Sequence, residues 1–426
     1  MKKLFMTLTA AAVCATALAQ APKAEEQTED EGYKFTIVKE LPITSVKNQN
    51  QAGTCWCYSG LGFIEAELLR MGKGTYDFSE MYIVSNTYND RAMAAIRTSG
   101  DVSFSQGGAF SDVIYGMKTF GLIPEQYMRP GVMYGDTLSN HNELSALTDA
   151  MVAAIAKNDK LKKLQRGEDG LLCIKAIKAV HDVYLGTAPE KFTYNGKEYT
   201  PKSFYESLGL NADDYVSITS YTHHPFYSRF VLEIQDNWRW SLSYNVPIDE
   251  MMEIMDNAIA NGYPIAWGSD VSEQGFRMGV RKGFCVLPAD AATAANLQGS
   301  DMAHWTGMSA KAIQDEAAKH PTPQRWVTQE ERQIAYDNRE TTDDHGMVIY
   351  GTAKDQMGNE YYMVKNSWGD YGEYHGMFYA SKAFVRYKTM NYVVHKDAIP
   401  DAIAAKLGIE KSTATNAKSV KKAKRK

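Results

Sequence analysis

Apolar residues recur at helical spacing in several parts of the 426-residue chain. From Cys55 to Met71 this spacing predicts a helix that begins at a cysteine. Residues 249–261 predict a second helix, which ends at Gly262, a residue type favoured just beyond helix C-termini. Residues 147–185 are also helical in pattern, and Thr200 followed by Pro201 is typical of a helix start. A substantial part of the chain is therefore expected to be helical.

Short apolar runs in the second half indicate β-strands. They lie at residues 264–271, 347–351, 361–365 and 377–379. No internal repeat is evident. Helices concentrated early and strands concentrated late predict an α+β fold.

The N-terminus has the pattern of an export signal. Lys2-Lys3 precede an apolar run over residues 4–18, and Ala17-Leu18-Ala19 forms an A-x-A-type cleavage site. The run is too short for a membrane span, and Val13 is too bulky for a lipoprotein signal ending at Cys14. We therefore expect a cleaved signal peptide over 1–19 and a periplasmic or secreted protein. Residues 20–32 are acidic and poor in apolar side chains, so they are expected to be disordered.

Composition indicates a globular enzyme that is stabilised by packing instead of disulfides. The chain is 44% hydrophobic, with five cysteines and a net charge of −5. Six positive charges lie in residues 418–426, which leaves −11 on the remainder. No membrane span is expected, and an acidic body makes nucleic acid an unfavourable partner. Nothing in the pattern calls for a cofactor or a metal.

Three separated motifs supply the groups of a thiol-based catalytic site. Cys55 lies in Gly53-Thr54-Cys55-Trp56, His345 in Asp343-Asp344-His345-Gly346, and Asn366 in Lys365-Asn366-Ser367-Trp368-Gly369. A thiolate attacks a carbonyl, an imidazole holds it as an ion pair and protonates the leaving amine, and an amide fixes the imidazole tautomer. Gln49 precedes Cys55 by six residues and can donate to the oxyanion. The start of a helix at Cys55 is expected to favour the thiolate.

These motifs resemble the papain-fold cysteine peptidases, and within them the bleomycin hydrolase/aminopeptidase C family. The first cysteine of the usual papain signature is replaced by Ala52, and His345 follows Cys55 by 290 residues instead of about 130–150. The resemblance covers about Tyr33 to Ile409. It implies a papain-like domain over 33–409, with a helical half, an antiparallel-sheet half and a large, mainly helical insertion around 130–215.

The resemblance also suggests substrate-binding residues. Gly107 and Gly108 correspond to glycines that let a peptide backbone pair with the enzyme, although a tight turn alone explains two glycines. Asp270 ends a predicted strand and either lines the cleft or faces solvent. Trp368 is expected to shield the bond between His345 and Asn366, unless it is ordinary core.

Other cysteines and histidines have plainer interpretations. Cys57 should point away from Cys55 along the helix and pack in the core. Cys173 and Cys285 are more simply free than paired in a disulfide. His223-His224 should face opposite sides of a strand, with no third ligand at a metal-site spacing, so the pair is interpreted as structural or surface. His304 and His375 lack a partner amide placed as Asn366 is for His345.

The resemblance implies peptide substrates, removal of residues from peptide N-termini, and a homo-oligomer, specifically a hexamer. The alternatives are an endopeptidase with relaxed N-terminal restriction and a catalytically weak scaffold with a tail that binds polyanions. Members of this family end in an apolar arm whose carboxylate pairs with the substrate amine. Residues 410–426 are basic and are expected to be disordered, so either the restriction to peptide N-termini is relaxed or another acidic group, such as one from the insertion, takes over that pairing.

Overall fold

The computed structural model describes residues 32–289 and 308–412. The predicted signal peptide, most of the acidic leader, His304 and residues 413–426 lie outside these ranges. The helices are α1 Cys55–Arg70, α2 Glu80–Arg97, α3 Phe110–Thr119, α4 Asn142–Ala156, α5 Leu172–Leu185, α6 Pro201–Leu208, α7 Ile248–Ala260, α8 Gln274–Gly279, α9 Ala310–Ala317, α10 Gln329–Asp337, α11 Lys382–Lys388 and α12 Asp401–Leu407.

The strands are short except for one. They are β1 Thr36–Glu40, β2 Arg166–Gly167, β3 Gly170–Leu171, β4 Phe192–Tyr194, β5 Lys197–Tyr199, β6 Tyr215–Thr219, β7 Arg229–Val231, β8 Leu242–Asn245, β9 Ile265–Ser269, β10 Phe284–Cys285, β11 His345–Lys354, β12 Glu360–Lys365, β13 Met377–Ser381 and β14 Thr389–His395. Several helix starts follow the sequence signals. The Thr200 side chain, for example, accepts a hydrogen bond from the Ser203 backbone N–H at the start of α6.

Ten strands of the described residues form one sheet, in the order β10-β13-β12-β11-β9-β14-β6-β8-β7, with β1 added on β11. Most neighbours are antiparallel, but β10 with β13 and β6 with β8 are parallel. The expected antiparallel pairing is therefore found in most of the sheet, and the two parallel pairs make the sheet mixed. Each parallel pair joins strands that are separated in sequence by other elements, which is the connection that parallel pairing requires.

Two cores divide the molecule as predicted. The sheet and α7 surround one core, in which Met251, Ile254, Trp267 and Met347 are fully buried. The helices α1, α2 and α3 surround the other, and the sheet contributes Val348 to it. The active-site motifs come from the border between these halves.

The segment around 130–215 is a separate layer on the helical half. Helices α4 and α5 pack against α2, and Leu185, Phe192 and Phe204 enter the core of α1 and α2. The layer is mainly helical, as expected, but it also contains the two hairpins β2–β3 and β4–β5. These strands have two or three residues each, too few for an alternating pattern to be recognised in the sequence.

Helix α1 approaches β11 most closely at Gly346. A Cβ atom on Gly346 would lie 2.7 Å from Ser59 Oγ and 3.2 Å from the Phe110 ring. The glycine is therefore required by the space between helix and strand, which holds the two halves in register.

Gly346→Ala is expected to lower the free energy of unfolding by about 1–3 kcal/mol, because the added methyl group overpacks this contact. Gly62→Ala, in the middle of α1, is the matched control, since its Cβ would meet Lys365 Nζ at 3.5 Å and Val348 at 3.8 Å, which are ordinary contacts. The control should be neutral or stabilising by up to about 1 kcal/mol. Urea unfolding of both variants measures the difference. Equal stability of the two would contradict the tight contact.

Candidate active site

Cys55 is the first residue of α1, and its sulfur lies between that helix and the sheet. The Ser59 hydroxyl donates to the Cys55 carbonyl oxygen at 2.6 Å, and the Trp56 indole donates to the Gln106 carbonyl oxygen at 3.0 Å. The first bond lies within the helix, and the second holds the first turn of α1 against the segment that contains Gly107 and Gly108. The Gly346 backbone N–H donates to the Cys55 sulfur, so helix and strand meet at the thiol itself.

His345 begins β11, and Asn366 follows the end of β12. Because β11 and β12 pair antiparallel, the start of one strand lies beside the end of the other. The His345 Nε2–H donates to Asn366 Oδ1 at 2.7 Å, and the Ser367 backbone N–H donates to the same oxygen at 2.8 Å. The Trp368 ring lies 4.9 Å from the His345 ring, between centroids. This arrangement fixes the imidazole and leaves Nδ1 as the ring nitrogen not bonded to Asn366.

Gln49 joins the first motif to the last. Its side-chain oxygen accepts from the Ser367 hydroxyl at 2.6 Å, and its amide nitrogen donates to the Ala52 carbonyl oxygen at 2.8 Å. The Gln49 backbone N–H also donates to the Ser367 carbonyl oxygen at 2.9 Å. Gln49 is therefore buried and oriented beside the start of α1, with one amide hydrogen left for a ligand.

A half-buried lysine anchors the segment that carries Gln49. Lys47 Nζ lies 2.6–2.7 Å from carboxylate oxygens of Asp77, Glu80 and Glu125. Burial lowers the pKa of Lys47, but these carboxylates and Glu65 outweigh that effect and raise it overall. The lysine thus stays charged and ties the segment to α2.

Cys55 and His345 line one small cavity of about 30 Å³. Its other walls come from both halves of the molecule and include Trp56, Gly108, Phe110, Ile234, Asp236, Gly268, Asp343, Asp344 and Asn391. The four residues predicted to be catalytic are thus brought together: Cys55 and His345 at the cavity, Asn366 behind the imidazole, and Gln49 beside Ser367.

Burial makes isolated charges unfavourable at this site. It raises the pKa of Cys55 to about 12, with the Asp343 and Asp236 carboxylates adding to the effect and the Gly346 and Trp56 backbone N–H groups opposing it. Burial also lowers the pKa of His345 to about 4, and the hydrogen bond that His345 donates to Asn366 opposes this effect. The lowering of the Cys55 pKa that was expected from the helix N-terminus is therefore offset by desolvation. A proton must pass from thiol to imidazole for either group to become charged.

The predicted substrate-binding residues fall into different places. Gly108 lines the cavity, and Gly107 lies against the Asp236 carboxylate. Trp368 packs on His345 as expected. Asp270, in contrast, is fully buried beneath the cleft, where it accepts from the Ser272 N–H at 2.6 Å and contacts Lys388 Nζ at 3.3 Å. Both interpretations of Asp270 are wrong, because Lys388 and the 341–344 segment cover the end of β9.

The sequence analysis assigned no role to three acidic cavity residues, Asp236, Asp343 and Asp344. Asp236 lies between β7 and β8, far from every motif in the sequence. Asp343 was quoted as part of the histidine motif, but no role followed from its position. Burial, and then the carboxylates of Asp236 and Asp344, raise the pKa of Asp343 to about 8.

The remaining cysteines behave as predicted. Cys55, Cys57, Cys173 and Cys285 are all free. Cys57 is fully buried, and its thiol donates to the Glu80 carbonyl oxygen at 3.6 Å, on the side of α1 that packs against α2.

The His223-His224 pair differs from expectation. The residues lie in a turn, so both rings can face Glu233, whose two carboxylate oxygens lie 3.1 Å from His223 Nε2 and His224 Nε2. A third group of metal-ligand type is therefore present, contrary to the sequence argument. His375 is exposed and bonded to Asp370.

Known proteins resemble this chain over most of its length. Aminopeptidase C of Streptococcus thermophilus is 23% identical over 403 residues, which cover 85% of this chain and 83% of that protein. Aminopeptidase G of Lactobacillus delbrueckii subsp. lactis is 23% identical over 405 residues, 84% of this chain and 82% of that protein. The crystal structure of PepW from Lactobacillus rhamnosis HN001 has a TM-score of 0.62 at 20% identity, covering 88% of this chain and 84% of the other.

These findings confirm the papain-like α+β fold and the resemblance to the bleomycin hydrolase/aminopeptidase C family. They also confirm the enzyme class, a cysteine-type peptidase of the aminopeptidase C type. Within residues 32–289 and 308–412, no helix is long and apolar enough to cross a membrane. Residues 2–284 and 325–415 match the Peptidase C1-like family, and the chain belongs to that family.

Proposed function

We propose that this protein is an exported thiol aminopeptidase in which Cys55 is the nucleophile and His345 the general acid–base. The observation that carries the proposal is that Cys55 and His345 line one cavity while Asn366 holds the imidazole by Nε2. Nδ1 is then the nitrogen that exchanges a proton with the thiol. The aminopeptidase names of its relatives support the substrate class, peptides with a free N-terminus.

Acylation begins when the Cys55 proton passes to His345 Nδ1 and the sulfur attacks the scissile carbonyl carbon. The imidazolium then gives its proton to the leaving amine, the C–N bond breaks, and a thioester remains on Cys55. In deacylation His345 takes a proton from water as its oxygen attacks the thioester carbonyl carbon. The C–S bond then breaks, the released residue leaves as a carboxylic acid, and the imidazolium returns its proton to the Cys55 sulfur. Both charges of the ion pair arise together, which suits a buried site where neither is stable alone.

Gln49 and the backbone N–H of Cys55 supply the oxyanion site in this proposal. The Ser367 hydroxyl and the Ala52 carbonyl oxygen hold the Gln49 amide, so its remaining hydrogen needs little reorganisation to reach a developing oxyanion. Gly108 takes the substrate backbone, and Trp368 keeps water from the bond between His345 and Asn366. An endopeptidase and an inactive scaffold are the alternatives, and the ordered His345–Asn366 pair argues against the scaffold.

Export and assembly complete the proposal. The pattern over residues 1–19 supports a cleaved signal and a periplasmic or secreted enzyme. Seven of the sixteen exposed large apolar side chains among the described residues lie within 130–215, including Val132 and Val183 at 56% and 63% exposure. Such a concentration supports subunit contacts through this layer, in a hexamer as the family resemblance implies.

Cys55→Ala is expected to abolish turnover of a fluorogenic aminoacyl amide with the fold intact, because no other group can form the thioester. Cys57→Ala is the matched control and should retain most activity, since Cys57 faces α2. Asn366→Ala should slow turnover by no more than about 10²–10⁴-fold, because it orients the base without carrying a proton. Turnover and iodoacetamide labelling are measured together. Activity that survives in Cys55→Ala, or is lost only in Cys57→Ala, would refute the assignment.

Signal cleavage is tested by expressing the full chain in a bacterium and sequencing the N-terminus of the recovered protein. We expect periplasmic or secreted protein that begins at Gln20. Leu8→Arg interrupts the apolar run and should keep the protein in the cytoplasm. Wild-type protein retained in the cytoplasm with Met1 in place would contradict export.

Assembly is tested by light scattering of the mature protein at micromolar concentration. We expect a mass near six times that of one chain. Val183→Glu should lower it, because a charge is placed in the apolar contact, whereas Met357→Glu, equally exposed but outside the 130–215 layer, should not. A wild-type monomer would refute the assembly.

A further inference from the structure

The loop between β7 and β8 closes one end of the active-site cavity. Ile234 and Asp236 of this loop line the cavity together with Cys55 and His345. On the other side of the loop lies a larger cavity of about 750 Å³, which Ile234, Asp343 and Asp344 also line. The loop and the 343–344 segment are therefore a partition across the path that an extended peptide would follow.

The Asp236 carboxylate occupies the space that a side chain on residue 107 would need. A Cβ on Gly107 would overlap both Asp236 carboxylate oxygens, and the Gly108 backbone N–H donates to the same carboxylate. Because Asp236 takes this N–H, Gly108 has only its carbonyl oxygen to offer the substrate backbone. Asp236 thus takes the position that the backbone of a preceding substrate residue would need, and a peptide can reach Cys55 only with its terminus at the partition.

The cavity carries more negative than positive charge. Arg91 is fully buried, and its guanidinium lies 3.5 Å from Asp236 while donating to the Gly107 carbonyl oxygen. Asp343 faces the same cavity, and no cation or hydrogen-bond donor among the described residues lies within bonding distance of its carboxylate. A ligand cation between Asp236 and Asp343 would give the Asp343 carboxyl group the partner that it lacks, and it would offset the burial and the neighbouring carboxylates that raise its pKa.

The position of the two aspartates identifies the ligand. Asp236 and Asp343 line the same small cavity as Cys55 and His345, so a cation between them lies beside the residue whose carbonyl carbon the thiol attacks. We infer that Asp236, supported by Asp343, binds the α-ammonium group of the residue whose carbonyl carbon Cys55 attacks. This inference rests on the proposed function and deepens it: the enzyme removes single residues because the loop carrying Asp236 ends the cleft one residue from Cys55.

The test compares three amides with the same alanyl leaving bond on the full chain: free-amine alanyl amide, its N-acetyl twin, and N-acetyl-lysyl-alanyl amide. Wild-type enzyme should prefer the free amine by about 100-fold or more in kcat/KM. Asp236→Asn should lower kcat/KM for the free amine by about 10- to 100-fold, mainly through KM, and leave the acetyl twin unchanged or faster, as loss of one charged hydrogen bond in a desolvated site predicts.

Asp343→Asn should also lower kcat/KM for the free amine, and it leaves the pair of Arg91 and Asp236 intact. It therefore replaces Asp236→Asn as the test if that variant folds poorly. Asp337→Asn is the matched control, because Asp337 lines only the larger cavity, and it should keep wild-type discrimination. Melting temperatures and iodoacetamide titration of Cys55 report the folded fraction.

Three outcomes overturn the inference. They are equal wild-type rates on the free and acetylated amides, preference for the lysyl compound, which would make a side chain the bound cation, or unchanged discrimination in both aspartate variants. If labelled, folded wild-type enzyme hydrolyses none of the three amides, the proposed function fails, and the inference with it.

Discussion

The contact of α1 with β11 at Gly346 is the constraint on which the rest of the site depends. Cys55 belongs to the helical half and His345 to the sheet half, so they meet only where the two halves come close. A Cβ on Gly346 would lie 2.7 Å from Ser59 Oγ, so this approach leaves no room for a side chain at this position of β11. The Gly346 N–H that reaches the Cys55 sulfur is a direct result. The central position of β11, paired to β1, β9 and β12, gives the contact a rigid base.

A second set of interactions orders the segment before α1. Lys47 among three carboxylates fixes it to the helical half, and Gln49 bonded to Ser367 fixes it to the sheet half. The two anchors lie two residues apart, so the segment has little freedom to rotate. A half-buried ammonium is costly without partners, and the carboxylates around Lys47 provide them. The oxyanion donor is thereby positioned by charges that never contact substrate.

The sequence predicted what depends on local pattern and motif order. Helices α1 and α7, the start of α6, the central strands and the four motif residues could all be found in this way. Asp236 could not, because its position depends on how the loop between β7 and β8 folds back onto Gly107. Asp270 was misplaced because strand alternation does not reveal that Lys388 covers the strand end. His223-His224 was misjudged because the segment is a turn, to which the two-face rule for strands does not apply.

The arrangement of thiols determines how this site responds to oxidants. Cys57 lies only two residues from Cys55, yet its sulfur faces the α2 side of the helix and bonds to Glu80. A sulfenic acid formed on Cys55 would therefore find no resolving thiol within the described part of the chain, and an internal disulfide could not protect it from further oxidation. Recovery would depend on a small thiol entering the cavity from outside. The burial that raises the pKa of Cys55 is then also its main protection, since the protonated sulfur reacts slowly with peroxides.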